Sequence, residues 1–111
     1  MDFYSISGEK VECNEIEKVT FRPGVYVIAE NSKKEILMII DSKSGKWEFP
    51  GGGLHIGEDF AECGKREVEE ETGYVAKVCK DVFYVDKEMA YFRKKEIFVH
   101  EINIYLKGVI D

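Results

Sequence analysis

Three glutamates, Glu67, Glu70 and Glu71, stand at i, i+3 and i+4 in the stretch Lys65-Arg-Glu-Val-Glu-Glu-Glu-Thr-Gly73. On a helix that spacing gathers their carboxylates into one patch. Like charges so placed repel one another unless a cation sits among them. All-oxygen donors of this kind suit a hard divalent ion, Mg²⁺ or Mn²⁺ above all. Upstream, Gly51-Gly52-Gly53 offers backbone that can approach a bound ligand closely. A divalent ion beside open backbone is what phosphate chemistry requires, since the ion can activate water and clamp phosphate oxygens. A glutamate run alone is most often a solvated helix face, so the residues around it decide.

Those residues form a longer pattern, Gly52-x5-Glu58-x7-Arg66-Glu67-Val68-x-Glu70-Glu71-x-Gly73-Tyr74. It resembles the signature box of the Nudix hydrolases (MutT-like), with every fixed position filled. At ordinary residue frequencies a chance match at a given start is about one in 10⁹. Trp47-Glu48-Phe49-Pro50-Gly51-Gly52 is similar to the strand that leads into the family's box. The resemblance implies an α/β (α+β) fold: a mixed β-sheet sandwiched by helices, with the box as loop–helix–loop and residues 1–111 as a single domain. It implies hydrolysis of a nucleoside diphosphate linked to another group, with Mg²⁺ or Mn²⁺ as cofactor. By the same resemblance Glu67 and Glu71 would be metal ligands and Glu70 would complete the set. Glu67 or Glu70 would act as base, a choice the resemblance leaves open. Arg66 would orient the carboxylates, and Gly51 and Gly52 would meet substrate or metal through backbone. Glu58, ahead of the helix, reads as a residue that fixes the loop.

Bulk properties narrow the partners. The chain has 111 residues, a net charge of −6, and no basic stripe with which to neutralise a phosphate polymer. A small nucleotide is therefore the expected partner, and a nucleic-acid polymer is not. Cys13, Cys63 and Cys79 show neither CxxC spacing nor an even count, which argues for buried free thiols. The start, MDFYSISGEK, lacks an apolar signal core, and no apolar run reaches membrane-spanning length. A cytoplasmic location is expected.

Periodicity places the elements. Residues 1–24 are weakly patterned and end in Arg22-Pro23-Gly24, a turn signal. Val25–Ala29 reads as a strand, and Ile36–Ile40 as a strand covered on both faces. Trp47–Phe49 is a short strand stopped by Pro50. A helix begins at Asp59 as N-cap with Glu62 completing a capping box, and Gly73 ends it. Phe60, Gly64 and Val68 should face the core. Val75–Val85 and Ile97–Leu106 read as long strands.

Outside the box, His55 and His100 have the titration range of acid–base groups, but a loop and a core role suit them better. Tyr26, Phe83, Tyr84 and Tyr91 could stack a base; most are expected in the core. No proline follows the box, unlike ADP-ribose-cleaving relatives. Tyr91 lies 17 residues beyond Tyr74, near where diadenosine-polyphosphate hydrolases carry a tyrosine. A nucleoside triphosphate, cleaved to monophosphate and pyrophosphate, is the leading substrate. A non-catalytic nucleotide sensor is the rival, and the intact carboxylates speak against it. The chain stops at Gly108-Val109-Ile110-Asp111, where the family's C-terminal helix should begin. The expected consequence is a homodimer, or residues 1–20 folding over the sheet, with Glu96 or Glu101 supplying a distal acid.

Overall fold

Along the run Val25–Ala29 the odd residues are buried and the even ones partly exposed, the two-residue alternation of a strand with one covered face. That run is the middle of a longer strand in a computed structural model that describes residues 1–111. The strands are β1 (Asp2–Tyr4), β2 (Lys10–Glu12), β3 (Val19–Glu30), β4 (Ile39–Ile40), β5 (Trp47–Glu48), β6 (Gly51–Gly53), β7 (Lys77–Phe92) and β8 (Ile97–Val109). One α-helix, α1 (Phe60–Thr72), lies between β6 and β7 in the chain. Six strands form a mixed sheet in the order β2-β1-β7-β8-β3-β6, and β4 with β5 makes a separate hairpin. β3 and β8 run parallel at the centre, from Val19 opposite Phe98 to Glu30 opposite Val109. The α+β class expected from the sequence is the one observed, with its helical layer on one face.

The core lies between α1 and that face. Val27, Ala29, Val68, Ala76 and Ile110 form one cluster, and Val25, Cys63, Ile104 and Leu106 another. Cys63, Gly64 and Val68 are the helix residues that press onto the sheet. Phe60, expected with them, opens the helix and is 37% exposed, so only the inner turns are seated. Asp59 makes no side-chain capping bond, and the capping box is not formed. Gly73 does end the helix, at φ 79°, with its N–H donating to the Glu69 carbonyl at 2.9 Å. Gly73→Val should therefore lower stability by about 1–2 kcal/mol, because a β-branched residue resists the left-handed region. An unchanged melting temperature would show that the helix stop does not depend on this conformation.

Several expectations need correction. Arg22-Pro23-Gly24 lies inside β3 rather than in a turn. Val27 N–H bonds Pro50 O on the side of β6, so by alternation the N–H that Pro23 lacks would fall on that side too. The ladder to β8 is thereby spared. Ile36–Ile40 is no central strand: Ile39 and Ile40 pair with Glu48 and Trp47, Ile36 makes a lone bridge to Glu30, and Ile36 and Ile40 are exposed. β7 starts later and runs farther than Val75–Val85, because the ladder with β8 carries the polar stretch around Lys87 to Phe92. Residues 1–20 hold two strands that extend the sheet beyond β7, with Tyr4 opposite Ala90, instead of covering its face. Phe3 anchors them, fully buried and edge-on to Phe98 at 5.0 Å. Cys13 and Cys63 are buried as expected, while Cys79 is exposed. No helix is long and apolar enough to cross a membrane.

Candidate functional site

β6 lies antiparallel to β3, with Gly51 opposite Tyr26 and Gly52 opposite Val25. The chain then loops back into α1, which sets the box helix beside the glycines. Arg66 is the hub of this corner. Its Nε donates to Glu58 at 2.8 Å and its Nη2 to the other Glu58 oxygen at 3.0 Å, a two-pronged pair. Nη2 also donates to the Gly53 carbonyl at 3.1 Å, and Nη1 donates to Glu67 at 2.8 Å. Arg66 hydrogen bonds pull the Glu58 carboxyl down to about 2, helped by the His55 backbone N–H and opposed by burial. The same partners raise Arg66 further above its ordinary value. The i,i+4 contact from Arg66 to Glu70 is the long one at 3.3 Å.

Glu67 and Glu71 meet the glycine strand directly. A Cβ built on Gly52 would lie 2.7 Å from the Glu67 carboxyl, so the bare backbone here is a cradle for that carboxylate. Gly51 N–H donates to Glu71 at 2.8 Å. Burial raises the Glu71 carboxyl, the Gly51 N–H lowers it, and the charges of Glu67, Glu48 and Glu70 add to the rise. The residue as a whole is exposed, but its carboxyl end turns inward to the strand. Glu70 stands apart: its side chain is 58% exposed and hydrogen-bonds Arg66 alone. Glu67 and Glu71 are thus brought to the glycines together, and Glu70 sits at the rim.

No three acidic, histidine or cysteine side chains converge into a ready metal cage. Mutual repulsion and the grip of Arg66 on Glu67 account for that spacing. The donors nevertheless fit a hard divalent ion. Glu67, Glu48 and Glu70 all add negative charge at Glu71, and the one guanidinium beside Glu67 and Glu70 is already held by Glu58. Such an excess of negative charge calls for a cation, and every donor is oxygen.

Glu48 is the member of this group that sequence reasoning passed over. It is placed by the β4–β5 hairpin, a contact that no local spacing announces. Burial raises its carboxyl, as do Asp41, Glu88 and Glu101. Glu101, nominated as a distal acid, belongs to the same charged neighbourhood; burial and Glu88 push it up, and Arg22 at 3.4 Å opposes them. Glu96 instead lies in the exposed β7–β8 turn at φ 52°. Neither histidine joins the carboxylates: His55 contributes its backbone N–H to Glu58, and His100 packs on Phe21 at 4.9 Å. Tyr26, Tyr105 and Tyr84 form a row on the face away from α1, at 5.7 and 5.9 Å, with Phe49 edge-on to Tyr105 at 6.2 Å. Tyr91 is elsewhere, stacked on Phe98 at 4.8 Å.

A helix that ends one face of a mixed sheet, joined to it by a glycine strand and an arginine–carboxylate hub, defines a recognisable class. The family model of the NUDIX domain matches residues 20–109, and the chain belongs to that family. It is 31% identical over 83 residues to Nudix hydrolase 2 of Arabidopsis thaliana, covering 69% of this chain and 30% of the relative. It is 38% identical over 56 residues to a putative 8-oxo-dGTP diphosphatase of Bacillus subtilis (strain 168), covering 50% of this chain and 38% of that one. The chain thus spans well under half the length of these relatives. Among solved structures, the MutT protein of Methanosarcina mazei Go1 is 29% identical with a TM-score of 0.56, over 79% of this chain and 64% of that one. The E. coli ORF135 protein, 20% identical with a TM-score of 0.55, covers 88% of this chain and 71% of its own, and shares the fold.

Proposed function

We propose that this chain hydrolyses phosphoric anhydride bonds of nucleotides with a divalent metal, Mg²⁺ or Mn²⁺, and that its substrate is a nucleoside triphosphate cleaved to monophosphate and pyrophosphate. The observation that carries this reading is the seating of the Glu67 carboxylate on Gly52 beside Glu71 on the Gly51 N–H. Glu67 and Glu71 would hold the ion, with Glu70 at the rim and Glu48 near enough to add its charge. When bound, such an ion activates water and neutralises phosphate oxygens. The protein's own part is positional. Arg66, locked by Glu58 and the Gly53 carbonyl, fixes the orientation of Glu67. A carboxylate so aimed can also accept the proton of an attacking water, a role Glu67 or Glu70 would fill. Gly51 and Gly52 leave the backbone open to phosphate.

Family membership and the similarity to a putative 8-oxo-dGTP diphosphatase support the reading. A diadenosine polyphosphate is the weaker substrate, because Tyr91 is engaged with Phe98 away from the box. The test is a panel of ribo- and deoxynucleoside triphosphates and a diadenosine polyphosphate, incubated with Mg²⁺ or Mn²⁺ and resolved by chromatography. Monophosphate and pyrophosphate in equal amounts are expected. Tight binding with no turnover on any member would make the domain a sensor and overturn the proposal.

A further inference from the structure

The arginines of this chain are Arg22, Arg66 and Arg93, and they are held very differently. Arg66 is tied to Glu58, Glu67 and the Gly53 carbonyl. Arg93 pairs with Glu9 beside the β7–β8 turn. Arg22, on β3, makes a single bond: its Nη1 donates to Glu101 at 3.4 Å, long for a hydrogen bond. A guanidinium carries five N–H donors, so most of them are left to water. The Arg22 side chain is 44% exposed, whereas that of Glu101 is 13% exposed. One long bond to an exposed cation stabilises a fold very little.

The position of Arg22 is more telling than its bond. It stands opposite Glu101 in the register of β3 and β8, and by alternation shares a face with Tyr26. Burial and Glu101 raise the Tyr26 hydroxyl and Arg22 opposes them, so the charge of the guanidinium is felt there. A Cβ built on Gly53 would lie 3.2 Å from Arg22 Nη2, so the guanidinium rests on bare backbone. On the preceding residue, Gly52, the corresponding place is filled by the Glu67 carboxylate. Successive residues of a strand point to opposite faces, so Glu67 and Arg22 flank β6 from its two sides. β6 ends the sheet, with no strand beyond it. A chain of phosphates laid over that edge meets the Glu67–Glu71 side at one end and Arg22 at the other. The Arg22 side is otherwise hostile to anions, because Glu48, Glu88 and Glu101 crowd it.

We propose that Arg22 is a substrate-binding residue that leaves Glu101 to grip a phosphate of the nucleotide, with Glu101 as the holder that keeps it in place until then. The identity of the ligand rests on the hydrolase reading. A phosphate carries more charge than one carboxylate oxygen and accepts two N–H bonds from the guanidinium fork. It therefore displaces a lone bond of 3.4 Å. Gly53 matters to the exchange, since a side chain there would push the guanidinium off the strand.

The probe is inorganic tripolyphosphate with Mg²⁺, which carries no base and reports the grip alone by calorimetry. Arg22→Gln should weaken its binding by ~10-fold or more, and Arg22→Lys, which keeps the charge and loses the fork, by less. Glu101→Gln should tighten binding by about threefold or more in the parent, because Arg22 is no longer held back, and should give no such gain in Arg22→Gln. Equal gains in both backgrounds would mean that Glu101 acts by repulsion alone, and would overturn the proposal. So would a parent chain that does not bind the probe at millimolar concentration. Arg22→Gln should melt close to the parent; a large drop would indicate a structural role and count against the grip. In turnover of whichever nucleoside triphosphate the chain cleaves, the Arg22→Gln loss should fall on KM, by ~10-fold or more. Turnover with an unchanged KM would overturn the grip and leave the hydrolase standing. Arg22-dependent binding of tripolyphosphate with no turnover of any nucleotide would do the reverse.

Discussion

Glu71→Gln is expected to hydrolyse nucleotides at least ~10²-fold more slowly than the parent chain at saturating metal, a loss of about 2.7 kcal/mol in transition-state stabilisation. The substitution keeps the size of the side chain and its ability to accept the Gly51 N–H. It removes one negative charge from the cluster of Glu48, Glu67 and Glu70 that surrounds it. The loss should therefore appear in chemistry and metal affinity and not in folding. Burial and like charges hold the folded Glu71 carboxyl above its ordinary value, so the native state keeps its proton to higher pH than the unfolded chain. Stability attached to this group declines as pH rises through the ordinary carboxylate range toward the raised value. Glutamine removes that decline, and the metal-free variant should melt no lower than the parent at pH 7. Near-normal turnover at saturating metal would remove Glu71 from the site. A lower melting temperature would make any loss of activity a folding effect instead.

The helical part of this site was legible because its chemistry is local. Glu67 and Glu71 are four residues apart on a helix whose stop, Gly73, is visible in the chain, and helical spacing alone puts their side chains on one patch. What helical spacing cannot express is the sheet. Glu58 holds Arg66 from eight residues upstream, across the loop, and outcompetes the Glu70 partner that an i,i+4 rule selects. Glu48 reaches the cluster only because a two-residue hairpin carries it there. Arg22 and Glu101 look like ordinary polar positions on two strands until the parallel register sets them side by side. Strand errors share a physical origin. Ile36–Ile40 is apolar enough for a central strand, yet after Ile36 bridges Glu30 the chain leaves the sheet edge. Lys87–Phe92 has little strand pattern of its own and is held by its partners in β8. Hydrophobic periodicity records which side chains are buried; it does not record which backbone neighbour supplies the hydrogen bonds.

Val68→Asp should destabilise the protein by about 3–5 kcal/mol, the largest loss of stability expected from a single change. Val68 is fully buried and belongs to the cluster of Val27, Ala29, Ala76 and Ile110, with Leu37 and Val78 packed around it. None of those neighbours can pair a carboxylate, so the new charge would have to be neutralised or drag the helix off the sheet. Domains of this size hold only about 5–15 kcal/mol in reserve, and the variant should lose its cooperative melt near physiological temperature. The effect reaches the site through geometry. Val68 sits between Glu67 and the residues that carry Glu70 and Glu71, so the packing that seats it also aims Glu67 at Gly52 and Glu71 at Gly51. Val68→Ala separates the two consequences. It leaves a small cavity, costs about 1–3 kcal/mol, and should keep the helix seated and turnover measurable. If Val68→Asp melts like the parent in a thermal or urea titration, α1 presents another face to the sheet, and the pairing of Glu67 and Glu71 with the glycine strand falls with it.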